Sequence, residues 1–263
     1  MKNNKSLGQH WLKNRAILDE IADAAAMGAD ENTVCLEIGP GLGTLTSSLL
    51  KRFHKVVAVE FDEKLAENLP KSFPGKDLEV VHGDILSADV PALVQTNNYV
   101  VVGNIPYYIT SPIIRQMIGL TPAPRRIVLL MQKEVAERVA ADAGNQSILS
   151  LITQNRAEVE LGPVVKAEEF TPPPKVDSQV LILAPLDEPQ VDDVVLKFAS
   201  RGFSNPRKKL SSNLADSRMS KADWENALRE EGINPNVRAE DLSLWDWEDL
   251  YSRQNPEKTL AKK

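Results

Sequence analysis

Apolar residues first recur at helical spacing in Asn14 to Met27, where Ile17, Leu18 and Ile21 share one face of a predicted amphipathic helix. The period then shortens. Thr33 to Ile38, Val56 to Glu60, Leu78 to Val81, Tyr99 to Val102 and Ile127 to Met131 are short runs of β-branched and other apolar residues, which read as strands. Thr44 to Lys51 and Asp62 to Leu69 lie between the first of these and read as helices, the second capped by Asp62. Such alternation predicts an α/β fold, a mainly parallel sheet with helices on both faces. Gln132 to Ala141 and Gln146 to Gln154 continue as helices, and Val180 to Leu183 is a final strand. Because it follows a turn-rich segment, that strand is expected to pair antiparallel at an edge. Ala184 to Pro189 reads as a linker. Helical patterns follow at Val191 to Ala199, Lys208 to Ala215, Lys221 to Glu231 and Ala239 to Tyr251. The expected division is an α/β domain over residues 1–186 and a small all-helical domain over 187–263.

Composition narrows the classes without choosing one. Apolar content of 42% and charged content of 26% are ordinary for a globular chain. No apolar run is long enough to span a bilayer, and Met1 to Lys13 lacks the apolar core of a secretory signal, so a cytoplasmic protein is expected. The single cysteine, Cys35, permits no internal disulfide and reads as a small buried hydrophobe. His10, His54 and His82 are scattered, and no metal site is expected. The net charge of −6 hides an uneven distribution. Residues 1–15 carry +4 and residues 197–218 carry +5, leaving −15 on the remaining chain. Two basic patches on an acidic body can hold phosphates locally, although solvated charge on exposed faces would look the same.

Candidate chemistry lies at the ends of the predicted strands. Leu36-Glu37-Ile38-Gly39-Pro40-Gly41-Leu42-Gly43-Thr44 falls between a strand and a helix, where Gly39 and Gly41 let a ligand approach the backbone. A dinucleotide loop would place its third glycine at position 44; here it stands one residue earlier, at Gly43. That spacing is the one seen in Rossmann-like methyltransferases, whose ligand has no pyrophosphate to seat on the helix. Glu60 closes the second strand, where a carboxylate can accept both ribose hydroxyls of a nucleoside. Asp84, after the third strand, can accept from an adenine amino group, or serve only a turn. Asn104-Ile105-Pro106-Tyr107 follows the fourth strand. An exocyclic adenine nitrogen is a poor nucleophile because its lone pair is delocalised into the ring. The Asn104 oxygen and the carbonyl of Ile105 or Pro106 can grip its N–H groups and favour a pyramidal nitrogen. Pro106 stiffens the loop, and Tyr107 offers a face to an extruded base.

With these segments the chain resembles the ribosomal RNA small-subunit adenine N6,N6-dimethyltransferase family over nearly its whole length. The resemblance is carried by Lys5 to Leu12, Glu37 to Gly43, Glu60, Asp84, Asn104 to Tyr107, Gln132 to Arg138, Phe170 to Ser178 and Phe203 to Leu214. It implies S-adenosylmethionine as methyl donor, with His10 and Leu12 at its methionine end, Gly39 on its backbone side, Glu60 on the ribose, Asp84 on the adenine, and Asn104 touching donor and target nitrogen. Tyr107 and Phe170 would sandwich the target base. The implied reaction is dimethylation of two adjacent adenosines in a small-subunit rRNA hairpin, within an immature 30S particle, during ribosome assembly. Lys5, Arg207, Lys208 and Lys209 would contact the RNA. Two positions depart from the family pattern: Trp11 replaces the usual Phe, and Pro206 stands where the basic motif usually has an arginine, which weakens or reshapes one phosphate contact. No sign of a dimer interface is present, so a monomer is expected. The competing readings are a large-subunit rRNA dimethyltransferase of the antibiotic-resistance branch and a non-catalytic assembly or transcription factor on the same fold. Intact Gly39, Glu60, Asp84 and Asn104 argue against the latter.

Overall fold

The apolar runs assemble into one sheet, whose central members are too apolar to face water on either side. The structure, a computed structural model, describes residues 10–254. Its strands are β1 (Trp11–Leu12), β2 (Val34–Ile38), β3 (Lys55–Glu60), β4 (Leu78–His82), β5 (Tyr99–Asn104), β6 (Arg126–Gln132), β7 (Ala157–Val165), β8 (Phe170–Thr171) and β9 (Ser178–Pro185). Seven of them form a sheet in the order β4-β3-β2-β5-β6-β9-β7. The β4-β3-β2-β5-β6 part is parallel throughout. β3, β5 and β6 are buried along almost their full length, as strands covered on both faces must be. β9 is antiparallel to β6, as expected, but it is not the edge. β7 pairs antiparallel outside it. That strand escaped the pattern because it is half-exposed, carries Glu158 and Glu160, and is interrupted at Gly162-Pro163, where the register shifts between Leu161 and Val164.

The helices are α1 (Arg15–Ala26), α2 (Thr46–Leu49), α3 (Glu63–Asn68), α4 (Val90–Val94), α5 (Thr110–Met117), α6 (Lys133–Val139), α7 (Ile148–Gln154), α8 (Asp193–Gly202), α9 (Leu210–Leu214), α10 (Lys221–Glu230) and α11 (Leu244–Gln254). α4 and α5 have no counterpart among the predicted elements. The Asn14 side chain caps α1, accepting from the Ala16 amide at 3.1 Å, and Asp62 caps α3 through the Leu65 amide at 3.1 Å. α1 buries Leu18, Ile21, Ala22 and Ala25 in an apolar cluster with Cys35, Val100, Val128 and Val180 of the sheet.

The chain divides into two compact units, Met1–Glu137 with Ala157–Leu186, and Arg138–Arg156 with Asp187–Lys263. Residues 138–156, which precede the cut expected after residue 186, group with the residues that follow it. The Gly144 and Gln146 amides donate to the Glu240 carbonyl at 2.9 and 3.0 Å, and Leu151 joins the Trp224, Trp247 and Phe198 core. The Asn155 side-chain amide donates from Nδ2 to the Val191 carbonyl at 3.0 Å and accepts the Val191 amide through Oδ1 at 2.7 Å. The pattern of residues 138–156 is that of any amphipathic helix and does not reveal which core its apolar face meets. No helix among the described residues is long and apolar enough to cross a membrane. Among those residues, no group of His, Cys, Asp and Glu could hold a metal ion.

Candidate active site

The carboxyl ends of β2, β3, β4 and β5 open into a cavity of about 330 Å³ in the sheet-bearing unit. Its lining includes Gly39, Gly41, Glu60, Asp84, Asn104, Pro106 and Tyr107, together with His10. Parallel β2, β3 and β5 run in register, so residues distant in sequence end side by side: Glu37 lies beside Ala58 and Val102.

The glycine-rich turn is held by its own amides. Gly39 donates to the Val59 carbonyl at 2.9 Å, Gly41 to Glu60 Oε2 at 3.0 Å, and Gly43 to the Pro40 carbonyl at 2.9 Å. Gly43 adopts φ +81°, and a Cβ there would stand 2.7 Å from Leu69 Cδ1. At Gly41, φ is +57° and a Cβ would meet the Trp11 indole. Glu60 also accepts the Asp62 amide at 2.8 Å through Oε1. Burial raises its carboxyl above the ordinary value, and the Asp62 and Gly41 amides oppose that rise. Asp84 accepts the Leu86 amide at 2.9 Å through Oδ1, so it makes a turn and faces the cavity at once.

Asn104, the last residue of β5, donates from Nδ2 to the His10 carbonyl at 3.0 Å. That bond orients the amide and leaves Oδ1 as an acceptor. His10 is itself tied down: its Nδ1–H donates to the Pro172 carbonyl at 2.7 Å, and its ring stacks on Tyr107 at 5.8 Å between centroids, 20° from parallel. Tyr107 Oη and Ser178 Oγ lie 2.9 Å apart, and burial raises the phenol above its usual range. Loop, strand end and N-terminal segment are thus cross-linked across the cavity wall.

Two expected residues do not line this space. β1 and β8 pair antiparallel with Leu12 opposite Phe170 and Trp11 opposite Thr171. Side chains alternate across a strand, so Leu12 and Phe170 both enter the core, at 1% and 3% exposure, while Trp11 on the other face lines the cavity. One face of the Tyr107 ring stacks on His10, and the Phe170 ring is buried in the core. Lys5 lies outside the described residues. Arg207, Lys208 and Lys209 are exposed in the helical unit between α8 and α9, with Lys209 Nζ donating to Asn236 Oδ1 at 2.6 Å.

Glu37 is a further residue of the site, one that the strand-end motifs do not single out. Its side chain is 1% exposed, lines the cavity, and neither carboxyl oxygen has a hydrogen-bond partner of normal geometry. Burial pushes the carboxyl up to about 8; nearby Thr46 holds it down in part, and the Glu60 charge adds to the rise. A lone acid ending an otherwise apolar strand was the available signal. Phe61 and Tyr108, 59% and 64% exposed on the lining, were missed as well.

These groups fit S-adenosylmethionine. Three carboxyls and no Lys or Arg line the cavity among the described residues, which suits a ligand bearing a sulfonium and an ammonium group. The buried Glu37 carboxyl, beside Thr46, would receive the ammonium, and Glu60 and Asp84 the nucleoside.

Known proteins agree with this chemistry. A profile of the ribosomal RNA adenine dimethylase family matches residues 1–255. Ribosomal RNA small subunit methyltransferase A of Rippkaea orientalis is 41% identical over 261 residues, covering 92% of this chain and 94% of the relative. The protein of the same name from Synechococcus elongatus is 40% identical, covering 94% and 93%. Among solved structures, a dimethyladenosine transferase from Plasmodium falciparum superposes with a TM-score of 0.79 at 28% identity, covering 95% of this chain and 98% of that one. The 23S rRNA methyltransferase ErmE gives 0.74 at 28% identity, covering 92% and 98%.

Proposed function

The chain belongs to the ribosomal RNA adenine dimethylase family, and from that membership we propose that it dimethylates N6 of two adjacent adenosines in a small-subunit rRNA hairpin during ribosome biogenesis. It is an S-adenosylmethionine-dependent rRNA adenine dimethyltransferase. The relatives at 40–41% identity, named for the small subunit, favour that subunit over the large one.

The observation that carries the chemistry is the anchored Asn104 amide. With Nδ2 committed to the His10 carbonyl, Oδ1 is held at the cavity as an acceptor for one N–H of the target amino group. A backbone carbonyl of the Ile105-Pro106 segment takes the second; that of Pro106 already accepts the Ile109 amide at 3.2 Å, which favours Ile105. Two acceptors at fixed positions bias the nitrogen toward a pyramidal geometry without removing a proton beforehand. S-Adenosylmethionine, when bound, supplies an electrophilic methyl group on sulfur. Glu37, Glu60, Asp84 and the glycine turn hold it; Pro106 restricts the loop, and His10 with Tyr107 forms the wall against which the base rests. Phe170 contributes to the base site only through a rearrangement of the β1–β8 ribbon.

Arg207, Lys208 and Lys209 of the helical unit contact the RNA, and Lys5 makes a further RNA contact. The substrate is rRNA within an immature 30S particle, and the enzyme acts in the cytoplasm as a monomer. Transfer of tritiated methyl groups to immature small subunits, free rRNA and mature subunits tests the substrate. Immature subunits should be labelled best. Primer extension on both rRNAs of a deletion strain identifies the site: an unaltered small-subunit hairpin with a changed large-subunit rRNA would reassign the enzyme to the other branch.

A further inference from the structure

The cavity is rich in acceptors, yet S-adenosylmethionine also brings a carboxylate, which needs hydrogen-bond donors. The obvious donors are already engaged. The Gly39, Gly41 and Gly43 amides bind Val59, Glu60 and Pro40, and Pro40 itself has none to give. One Asn104 N–H is held by the His10 carbonyl, His10 Nδ1–H by Pro172, and the Tyr107 hydroxyl pairs with Ser178. Of the lining side chains among the described residues that make no hydrogen bond within the protein, the Thr44 and Tyr108 hydroxyls can donate or accept, whereas the indole N–H of Trp11 can only donate. Trp11 lines the cavity, and a Cβ built on Gly41 would lie 3.2 Å from Nε1 and 3.4 Å from Cδ1. The nitrogen-bearing edge of the ring therefore lies against the glycine turn. Among the described residues, no acceptor meets it. The register of β1 with β8 fixes which way the ring faces, since Leu12 on the opposite face is locked into the core.

We propose that the Trp11 indole N–H donates a hydrogen bond to the carboxylate of bound S-adenosylmethionine, a contact that this chain has and that the family's usual Phe at this position lacks. Gly41 is part of the same device, because a Cβ there would press on the nitrogen-bearing edge of the ring. A hydrogen bond to a charged acceptor, formed away from bulk water, corresponds to a loss of roughly tenfold or more in affinity when its N–H is removed.

The inference rests on assigning this cavity to the methyl donor, and the test separates the two. Calorimetry would measure S-adenosylhomocysteine, which keeps the carboxylate, and 5′-methylthioadenosine, which lacks the amino-acid end. Three full-length proteins are compared: wild type, Trp11→Phe and Asp84→Ala. Trp11→Phe should bind S-adenosylhomocysteine roughly tenfold more weakly and 5′-methylthioadenosine within about twofold of wild type. In a ¹H–¹⁵N spectrum, the indole signal absent from Trp11→Phe should shift with S-adenosylhomocysteine and stay in place with 5′-methylthioadenosine. Equal loss for both ligands, or no loss for either, overturns the indole contact. Asp84→Ala should weaken both ligands; if it weakens neither, the cavity assignment itself fails, whatever Trp11→Phe does.

Discussion

Replacing Glu37 by Gln should make the ligand-free protein more stable in alkaline solution and scarcely change it in mild acid. The carboxyl moves from an ordinary value of 4.5 to about 8 on folding, mainly because it is fully buried. A raised folded value means that the protonated acid is the form the native state favours. Its contribution is fully present below pH 4.5 and is lost as pH climbs toward 8. At about 1.4 kcal/mol per tenfold, the full penalty of the ionised form has a ceiling of about 5 kcal/mol. Relaxation and water entry reduce it, and a buried glutamine amide leaves its own groups unpaired. A gain of about 2–3 kcal/mol for Glu37→Gln at pH 8.5 is therefore expected, falling toward zero near pH 5. That gain corresponds to several degrees in the melting temperature, read by thermal unfolding of both proteins across pH 5 to 9. If Glu37 receives the ammonium group of the methyl donor, binding of S-adenosylhomocysteine at pH 7 should also release up to about one proton. Titration in buffers of differing ionisation enthalpy would detect it in wild type and not in Glu37→Gln. A stability difference that is the same at pH 5.5 and 8.5 would refute the reasoning, because it would show that Glu37 is ionised in the folded protein at both.

Asn104→Ala should cost methyl transfer about a hundredfold or more while S-adenosylhomocysteine affinity stays within a few fold; comparable turnover would remove Asn104 from the acceptor role. Arg207→Ala with Lys208→Ala should weaken binding to immature small subunits and lower the salt slope by about 1.5, as loss of two phosphate contacts requires. An unchanged slope places the RNA contact elsewhere. Gly43→Ala should cost about 2 kcal/mol or more in denaturant unfolding, since the new Cβ would sit 2.7 Å from Leu69 Cδ1 at a residue with φ +81°. A smaller loss would mean that the turn and Leu69 move aside easily.

The parts legible in the sequence were those set by local pattern. Alternating strand and helix runs foretold the parallel sheet, since β3, β5 and β6 are apolar on both faces and must be covered by helices. In such a sheet ligands bind where the strands end. The positions of Gly39, Glu60, Asp84 and Asn104 after successive runs were therefore enough to bring them to one cavity. What sequence periodicity could not decide was anything that depends on which partner a segment meets. β7 was hidden by its exposed glutamates and Gly162-Pro163, and residues 138–156 by an apolar face that does not name its core.

The N-terminal segment shows the difference most sharply. His10, Trp11 and Leu12 are neighbours in the chain, and nothing in their order tells which of them faces a ligand. The pairing of Leu12 with Phe170 settles it, sending both side chains into the core and turning Trp11 to the glycine loop. Glu37 carries the same lesson for electrostatics. Its acidity at the end of β2 is plain in the sequence, but a carboxyl pushed up to about 8 exists only once the surrounding strands have shut water out. Sequence alone determined which chemical groups gather at the strand ends. Tertiary packing decided which of them are buried, which are already hydrogen-bonded, and so which remain free to hold a ligand, because those properties belong to the assembled neighbours and not to the residue.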